Sequence, residues 1–124
     1  EQLQGFLDKK RNIFYKYQKA INNVDGLKIL SVPDYANNNH WMNLLQIDSY
    51  SYGEDKESLM FRLEKEGIQT RPVWKPNHLQ KPFKKYQSYK IKNANQLVKT
   101  CLCLPSSPSL NSKDLYKIIS NLNV

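Results

Sequence analysis

Four short apolar runs bounded by Gly, Pro and Asn, interleaved with amphipathic helical stretches, predict an α+β domain: a small antiparallel or mixed sheet covered by helices. Three observations carry this. Apolar residues recur at helical spacing at both ends of the chain, the intervening runs are too short for helices, and the first two runs follow each other closely enough to pair as antiparallel neighbours. The order read along the 124 residues is α-β-β-α-β-loop-α-β-α, one domain spanning residues 1–124 with a modest core.

The first element is an amphipathic helix. Leu3, Phe6, Leu7, Phe14, Tyr17 and Ile21 recur at three-, four- and seven-residue spacings, with Lys9, Lys10, Arg11 and Lys16 between them. No capping residue precedes it, so the chain is expected to open inside or at the start of a longer element. Gly26 ends the helical region. Residues 27–32 read as a strand closed by Pro33 and Asn37-Asn38-Asn39, with His40 leading into a second strand over residues 41–50 that stops at Gly53.

Asp55 can cap a helix whose apolar stripe is Leu59, Met60 and Leu63, with Glu57, Arg62, Glu64 and Lys65 exposed and Gly67 at its C-terminal stop. A third strand follows over residues 68–73. Pro82–Tyr86 reads as a helical turn, 94–100 as a short helix and 102–104 as a strand before Pro105-Ser106-Ser107-Pro108. The last helix starts at Ser109 or Asn111 and turns Leu115, Ile118, Ile119 and Leu122 to one face. Ser106 and Ser107 shape the turn before it, since no general base stands at a spacing that would make either a nucleophile.

Function is most legible between Thr70 and Gln80, where Pro72 and Pro76 bracket Val73, Trp74 and Lys75 and His78 follows. Each proline fixes its own φ and drives the residue before it toward extended backbone, so Arg71 and Lys75 should be presented on extended chain. A loop built this way aims side chains at a ligand.

The 19 Lys and Arg against 11 Asp and Glu give a formal charge of +8, which favours anionic partners: phosphate esters, nucleotides, nucleic acid or acidic lipid heads. The basic residues are spread along the chain, so no dedicated nucleic-acid motif is visible. No apolar window is long enough to span a membrane, and the first residues are not a leader; the chain reads as soluble and cytoplasmic. Cys101 and Cys103 fall on one face of a strand. Two cysteines with only His40 and His78 as nitrogen partners make no four-ligand metal site, and they read as buried thiols in a reducing compartment.

The run Gly67-Ile68-Gln69-Thr70-Arg71-Pro72-Val73-Trp74-Lys75-Pro76-Asn77-His78, then Leu102-Cys103-Leu104-Pro105-Ser106-Ser107, then Asp114 with the last helix, resembles the C-terminal small domain of the DegT/DnrJ/EryC1/StrS sugar aminotransferases. Gln2-Leu3, Lys9-Lys10-Arg11 and Tyr17 match that domain's opening helix, so the resemblance covers nearly the whole chain. It implies the C-terminal domain of a fold-type I aminotransferase. Such enzymes use pyridoxal phosphate to move an amino group from an amino acid, usually glutamate, to a nucleotide-linked keto sugar, here a 4-keto-6-deoxy sugar for surface-glycan biosynthesis. The lysine and the acidic group that hold the cofactor lie in the family's large N-terminal domain, and no segment here matches them.

The resemblance therefore implies a C-terminal fragment, inactive alone, with no bound cofactor and no catalytic residue. Its partners would be the large domain of the same protein, docking on an exposed apolar patch, and the nucleotide-sugar and amino-donor substrates; the parent would be a homodimer. Arg71 would pair with a donor carboxylate or a nucleotide phosphate through its planar fork, against the plainer reading of an ion pair with a nearby carboxylate. Trp74 would offer a flat surface to sugar or cofactor, against core or interdomain packing. His78 would hydrogen-bond a sugar hydroxyl, against a structural role, and Lys75 would add charge. The alternative from a different class is a small basic module that binds nucleic acid or another polyanion through Lys9, Lys10, Arg11, Lys84 and Lys85, with Tyr86 and Tyr89 stacking.

Overall fold

The structure, a computed structural model, describes residues 2–122. Helix α1 runs over Leu3–Ile21 and buries Ile13, Phe14, Tyr17 and Ile21, a spacing that keeps all four on one stripe. Gln2 before it makes no side-chain cap bond. The stripe expected from Leu3 onward is buried only in its second half: Leu3 is 69% and Phe6 44% exposed. Beyond α1 the chain turns at Gly26, whose φ is +75°. A Cβ there would lie 2.3 Å from the Tyr52 backbone nitrogen, so only glycine fits.

Strand β1 (Leu27–Ile29) and strand β2 (Asn43–Ile47) pair antiparallel, Leu27 opposite Ile47 and Ile29 opposite Leu45. Both are shorter than the apolar runs that predict them. The run over 41–50 breaks at Asp48, whose carboxylate accepts from the Tyr50 N–H and starts a one-turn helix α2 (Ser49–Tyr52). Helix α3 (Lys56–Lys65) is capped by Asp55, which accepts from the Ser58 N–H at 2.8 Å, and Gly67 leaves it at φ +73°.

The third strand, expected over 68–73, is reduced to Arg71–Pro72 (β3). Ile68 and Thr70 are turned into the interior instead, and Pro72 has no N–H to extend a ladder, which suits an edge position. A 3-10 turn at Lys81–Phe83 overlaps only the start of the helical turn predicted over 82–86, and a second, at Asn77–Leu79, lies in the loop before it. Helix α4 (Asn93–Thr100) then leads directly into strand β4 (Cys101–Leu104), and helix α5 (Ser112–Ser120) opens on a capping box of Asn111 and Asp114.

The sheet order is β1-β2-β4-β3, antiparallel throughout, so of the two sheet types expected the antiparallel one is found. Residues directly opposite in such a ladder share a face. Leu27, Ile29, Leu45, Ile47, Leu102 and Leu104 form the face buried under α1, α3 and α5, with Leu59, Leu63, Leu115 and Ile118 as its cover. Leu44, Cys103 and Arg71 lie in one row across the opposite face, to which α4 contributes only half-buried side chains. Arg62 knits the helical layer: it reaches Glu54 at 2.8 Å, the Tyr52 hydroxyl at 3.0 Å and the Asn121 carbonyl at 2.8 Å.

Candidate functional site

On the second face of the sheet, β3 sets Arg71 at the edge and the chain beyond it runs extended through Pro76, whose ψ is 143°. The loop is then tied down from within. Gln80 Nε2 donates to the Lys75 carbonyl at 2.8 Å and to Asn77 Oδ1 at 3.3 Å, and the Leu79 N–H donates to the Pro76 carbonyl at 2.9 Å.

His78 anchors the loop to α4. Its Nε2 lies 3.1 Å from Asn95 Oδ1, while Asn95 Nδ2 donates to the Ile91 carbonyl at 2.8 Å. The oxygen of Asn95 is therefore the acceptor, His78 Nε2 carries the proton, and in the neutral ring Nδ1 is left as an acceptor. Half-buried, the ring positions the loop as well as bordering it. Arg71 and Lys75 are both exposed, and among the described residues neither guanidinium nor ammonium enters an ion pair. A neighbouring-carboxylate partner for Arg71 is thus not what the fold provides.

Trp74 is 67% exposed and meets Trp41, 57% exposed, edge to face: ring centroids 5.5 Å apart, planes at 80°. Between and beneath them lies a groove of about 350 Å³ lined by Asn38, Asn39, Trp41, Met42, Leu44, Val73, Trp74 and Cys103. Arg71 stands in one row with Cys103 and Leu44, which line that groove, but itself lines a separate cavity of about 270 Å³ with Met60, Glu64, Gln69, Thr70 and Pro72. The apolar run places Trp41 in a strand and marks no role for it; the signal for one is a tryptophan directly after Asn37-Asn38-Asn39-His40, a turn-forming run.

Trp41 is held on both sides. Its N–H donates to Asn39 Oδ1 at 2.9 Å, and its carbonyl accepts from the Ser106 hydroxyl. The Ser106 corner is itself fixed to α1, with the Lys10 ammonium donating to the Ser106 carbonyl at 2.8 Å and the Tyr17 hydroxyl to the Pro105 carbonyl at 2.9 Å. Burial lowers the pKa of Lys10 and raises that of Tyr17. His40 occupies a left-handed conformation at φ +48° and stacks on Phe14 at 4.3 Å; burial and then the charge of Arg11 lower its pKa. Buried Cys101 and Cys103 share the second face, their thiol pKa values raised by burial. Among the described residues no cluster of three or more His, Cys, Asp or Glu side chains could hold a metal.

A cofactor such as pyridoxal phosphate needs a lysine amine free in a cavity, a carboxylate for its ring nitrogen and a phosphate cradle. The cavity nearest to that composition, about 460 Å³, is lined by Ser106, Ser107, Asp114 and Lys117 among others. There the Lys117 amine donates to the Glu66 carbonyl, and Asp114 closes the α5 capping box. Lys10 and Lys56 are likewise tied to backbone carbonyls. These residues do not fit the cofactor; their bonds belong to the fold. Of the cations on which a polyanion surface would depend, Lys10 is held by Ser106 and Arg11 pairs with Asp8.

The sequence profile of the DegT/DnrJ/EryC1/StrS aminotransferase family matches residues 1–123. A Bacillus subtilis protein named as a pyridoxal phosphate-dependent aminotransferase, EpsN, is 30% identical over 98% of this chain and 32% of its own length. GDP-perosamine synthase of Escherichia coli O157:H7 is 30% identical over 99% of this chain and 32% of its own length. Among solved structures, the aminotransferase TlmJ from Streptoalloteichus hindustanus superposes with a TM-score of 0.84 at 21% identity, over 98% of this chain and 32% of its own. DesI, solved in the presence of its TDP-sugar product, gives 0.82 at 21% identity, over 94% and 30%. The chain spans about a third of the length of these relatives.

Proposed function

The chain belongs to the DegT/DnrJ/EryC1/StrS aminotransferase family, and on that premise we propose that it is the small C-terminal domain of a pyridoxal phosphate-dependent enzyme that aminates a nucleotide-linked keto sugar. Glutamate is the proposed amino donor, a 4-keto-6-deoxy sugar nucleotide for surface-glycan synthesis the proposed acceptor, and the cytoplasm the proposed compartment. Among the described residues no helix is long and apolar enough to cross a membrane. The large domain, and a second copy of the whole enzyme, are the partners this reading requires. The exposed Leu3 and Phe6 at the start of α1 suit such a contact.

The observation that carries the reading is the Arg71–His78 loop: two exposed cations that enter no ion pair among the described residues and an exposed Trp74, on backbone fixed by two prolines, Gln80 and the His78–Asn95 bond. A planar guanidinium free to meet a phosphate or carboxylate bidentately is presented on the edge strand, opposite the groove-lining Cys103. Lys75 adds a point charge, and Trp74 a flat surface for a sugar face. His78, its Nε2 proton committed to Asn95, offers Nδ1 to a sugar hydroxyl. The chain binds and orients; the chemistry of amino transfer is supplied by the cofactor in the large domain.

The test is direct. Pyridoxal phosphate added to this chain and then dialysed should leave no stoichiometric visible absorbance and no glutamate-dependent spectral change. The same chain within the longer protein should show both. A persistent one-to-one adduct on a single lysine of the isolated chain would refute the division of labour.

A further inference from the structure

From the geometry of the groove we infer that Trp41 is a second recognition residue, and that the two indoles seat the flat base of the nucleotide, favouring a base with carbonyl groups on its edge. The inference rests on the nucleotide-sugar reading of the Arg71 loop and assigns one part of the ligand to one part of the surface. Three observations support it.

Indole faces set at 80° form an L-shaped wall, so a planar ring lying flat on one meets the edge of the other. A large aromatic more than half exposed, yet fixed by hydrogen bonds to both its backbone N–H and its carbonyl, is pre-organised rather than loose. The strained φ of +48° at His40, immediately before it, is held in place by the Asn38 side chain and by stacking on Phe14.

The polar groups of the groove choose the base. Asn38 Oδ1 accepts from the His40 N–H at 3.0 Å, and Asn39 Oδ1 accepts from the Trp41 N–H at 2.9 Å. Both amide orientations are therefore fixed, and each side chain has two Nδ2 hydrogens left to offer against one remaining lone pair on Oδ1. Met42, Leu44 and Val73 supply no polar atoms. A groove richer in spare donors than in spare acceptors matches the carbonyl edge of uracil or thymine better than the amino group of cytosine. Arg71, opposite Cys103 in the ladder, is the cation in that row of the sheet toward which the phosphate of such a nucleotide would extend.

Trp41 and Trp74 are the only tryptophans in the chain, so its indole emission reports on this groove alone. The emission of the chain is to be titrated to about 10 mM with uridine 5′-monophosphate, cytidine 5′-monophosphate and glucose 1-phosphate. Uridine monophosphate should perturb the emission saturably and cytidine monophosphate several-fold more weakly. Trp41→Ala, which leaves Trp74 as the sole reporter, should weaken uridine binding about tenfold. Arg71→Ala should weaken both nucleotides by similar factors. Because Trp41 is exposed, a far-ultraviolet spectrum will show its variant folded. A response to glucose 1-phosphate equal to that of the nucleotides, unchanged in Trp41→Ala, would overturn the base seat while leaving a sugar wall at Trp74. Silence toward all three ligands, or equal response to uridine and cytidine monophosphates, would overturn the inference; the family-level function is judged separately by the cofactor experiment.

Discussion

Tyr17→Phe removes one hydroxyl from the interior and should be felt at both ends of the molecule. Tyr17 is completely buried, its ring packed in the core and its hydroxyl 2.9 Å from the Pro105 carbonyl, at the corner that also holds Trp41 through Ser106. Phenylalanine keeps the ring and its packing. It loses a net hydrogen bond of roughly 1 kcal/mol and leaves a part-buried carbonyl short of a partner, which together cost about 1.5–2 kcal/mol. For a chain of this size that lowers the melting temperature by about 6 °C and the urea midpoint by roughly 0.5–1 M.

A pH series separates this bond from packing. Burial holds the folded phenol above its ordinary pKa, so the unfolded chain, ionising near ~10, releases its proton first. The stability owed to neutral Tyr17 is thus complete below about pH 10 and falls as pH rises beyond it; one unit above, the unfolded state gains roughly 1.4 kcal/mol. Wild type and Tyr17→Phe should differ fully at pH 7 and nearly converge at about pH 11. A constant difference across that range, or indole emission unmoved by the substitution, would refute the placement of the hydroxyl.

Arg62→Ala should cost about 2–3 kcal/mol, because it strands Glu54 and the Asn121 carbonyl together; chemical denaturation measures it, and a loss below 0.5 kcal/mol would mean the network is screened by solvent. Gly26→Ala meets a positive φ and the Tyr52 backbone at 2.3 Å, so a loss above about 2 kcal/mol is expected, and wild-type stability would contradict the turn. Cys101 and Cys103 are buried with raised thiol pKa values; iodoacetamide at pH 8 should modify them at least about tenfold more slowly than a free thiol until denaturant is added, and rapid labelling would contradict their burial.

Much of the fold was legible because its signals are local. Asp55 and Asn111 before apolar periodicity mark helix starts, Gly26, Gly53 and Gly67 mark stops, and Leu59, Leu63, Leu115 and Ile118 occupy the core as their spacing requires. What periodicity misses is which face a run finally meets. Residues 68–73 look like a strand, yet Ile68 and Thr70 are taken by the core and Pro72 ends pairing. Leu3 and Phe6 extend the stripe of α1 in sequence, but none of the described residues covers them fully. In the candidate site, the exposure of Arg71, Trp74 and Lys75 was readable from the prolines around them. The His78–Asn95 bond and the pairing of Trp41 with Trp74 were not, because they join residues 17 and 33 positions apart, the second separation being 74 less 41.

In the proposed function the Arg71 loop is one wall of a cleft whose catalytic floor lies elsewhere in the protein. Steady-state kinetics of Arg71→Ala in the longer protein test that most directly. Loss of one charge-assisted, bidentate contact should raise KM for the nucleotide sugar or the amino donor about tenfold, with the cofactor's visible absorbance unchanged. An unaltered KM for both substrates, or loss of the cofactor's absorbance, would contradict it.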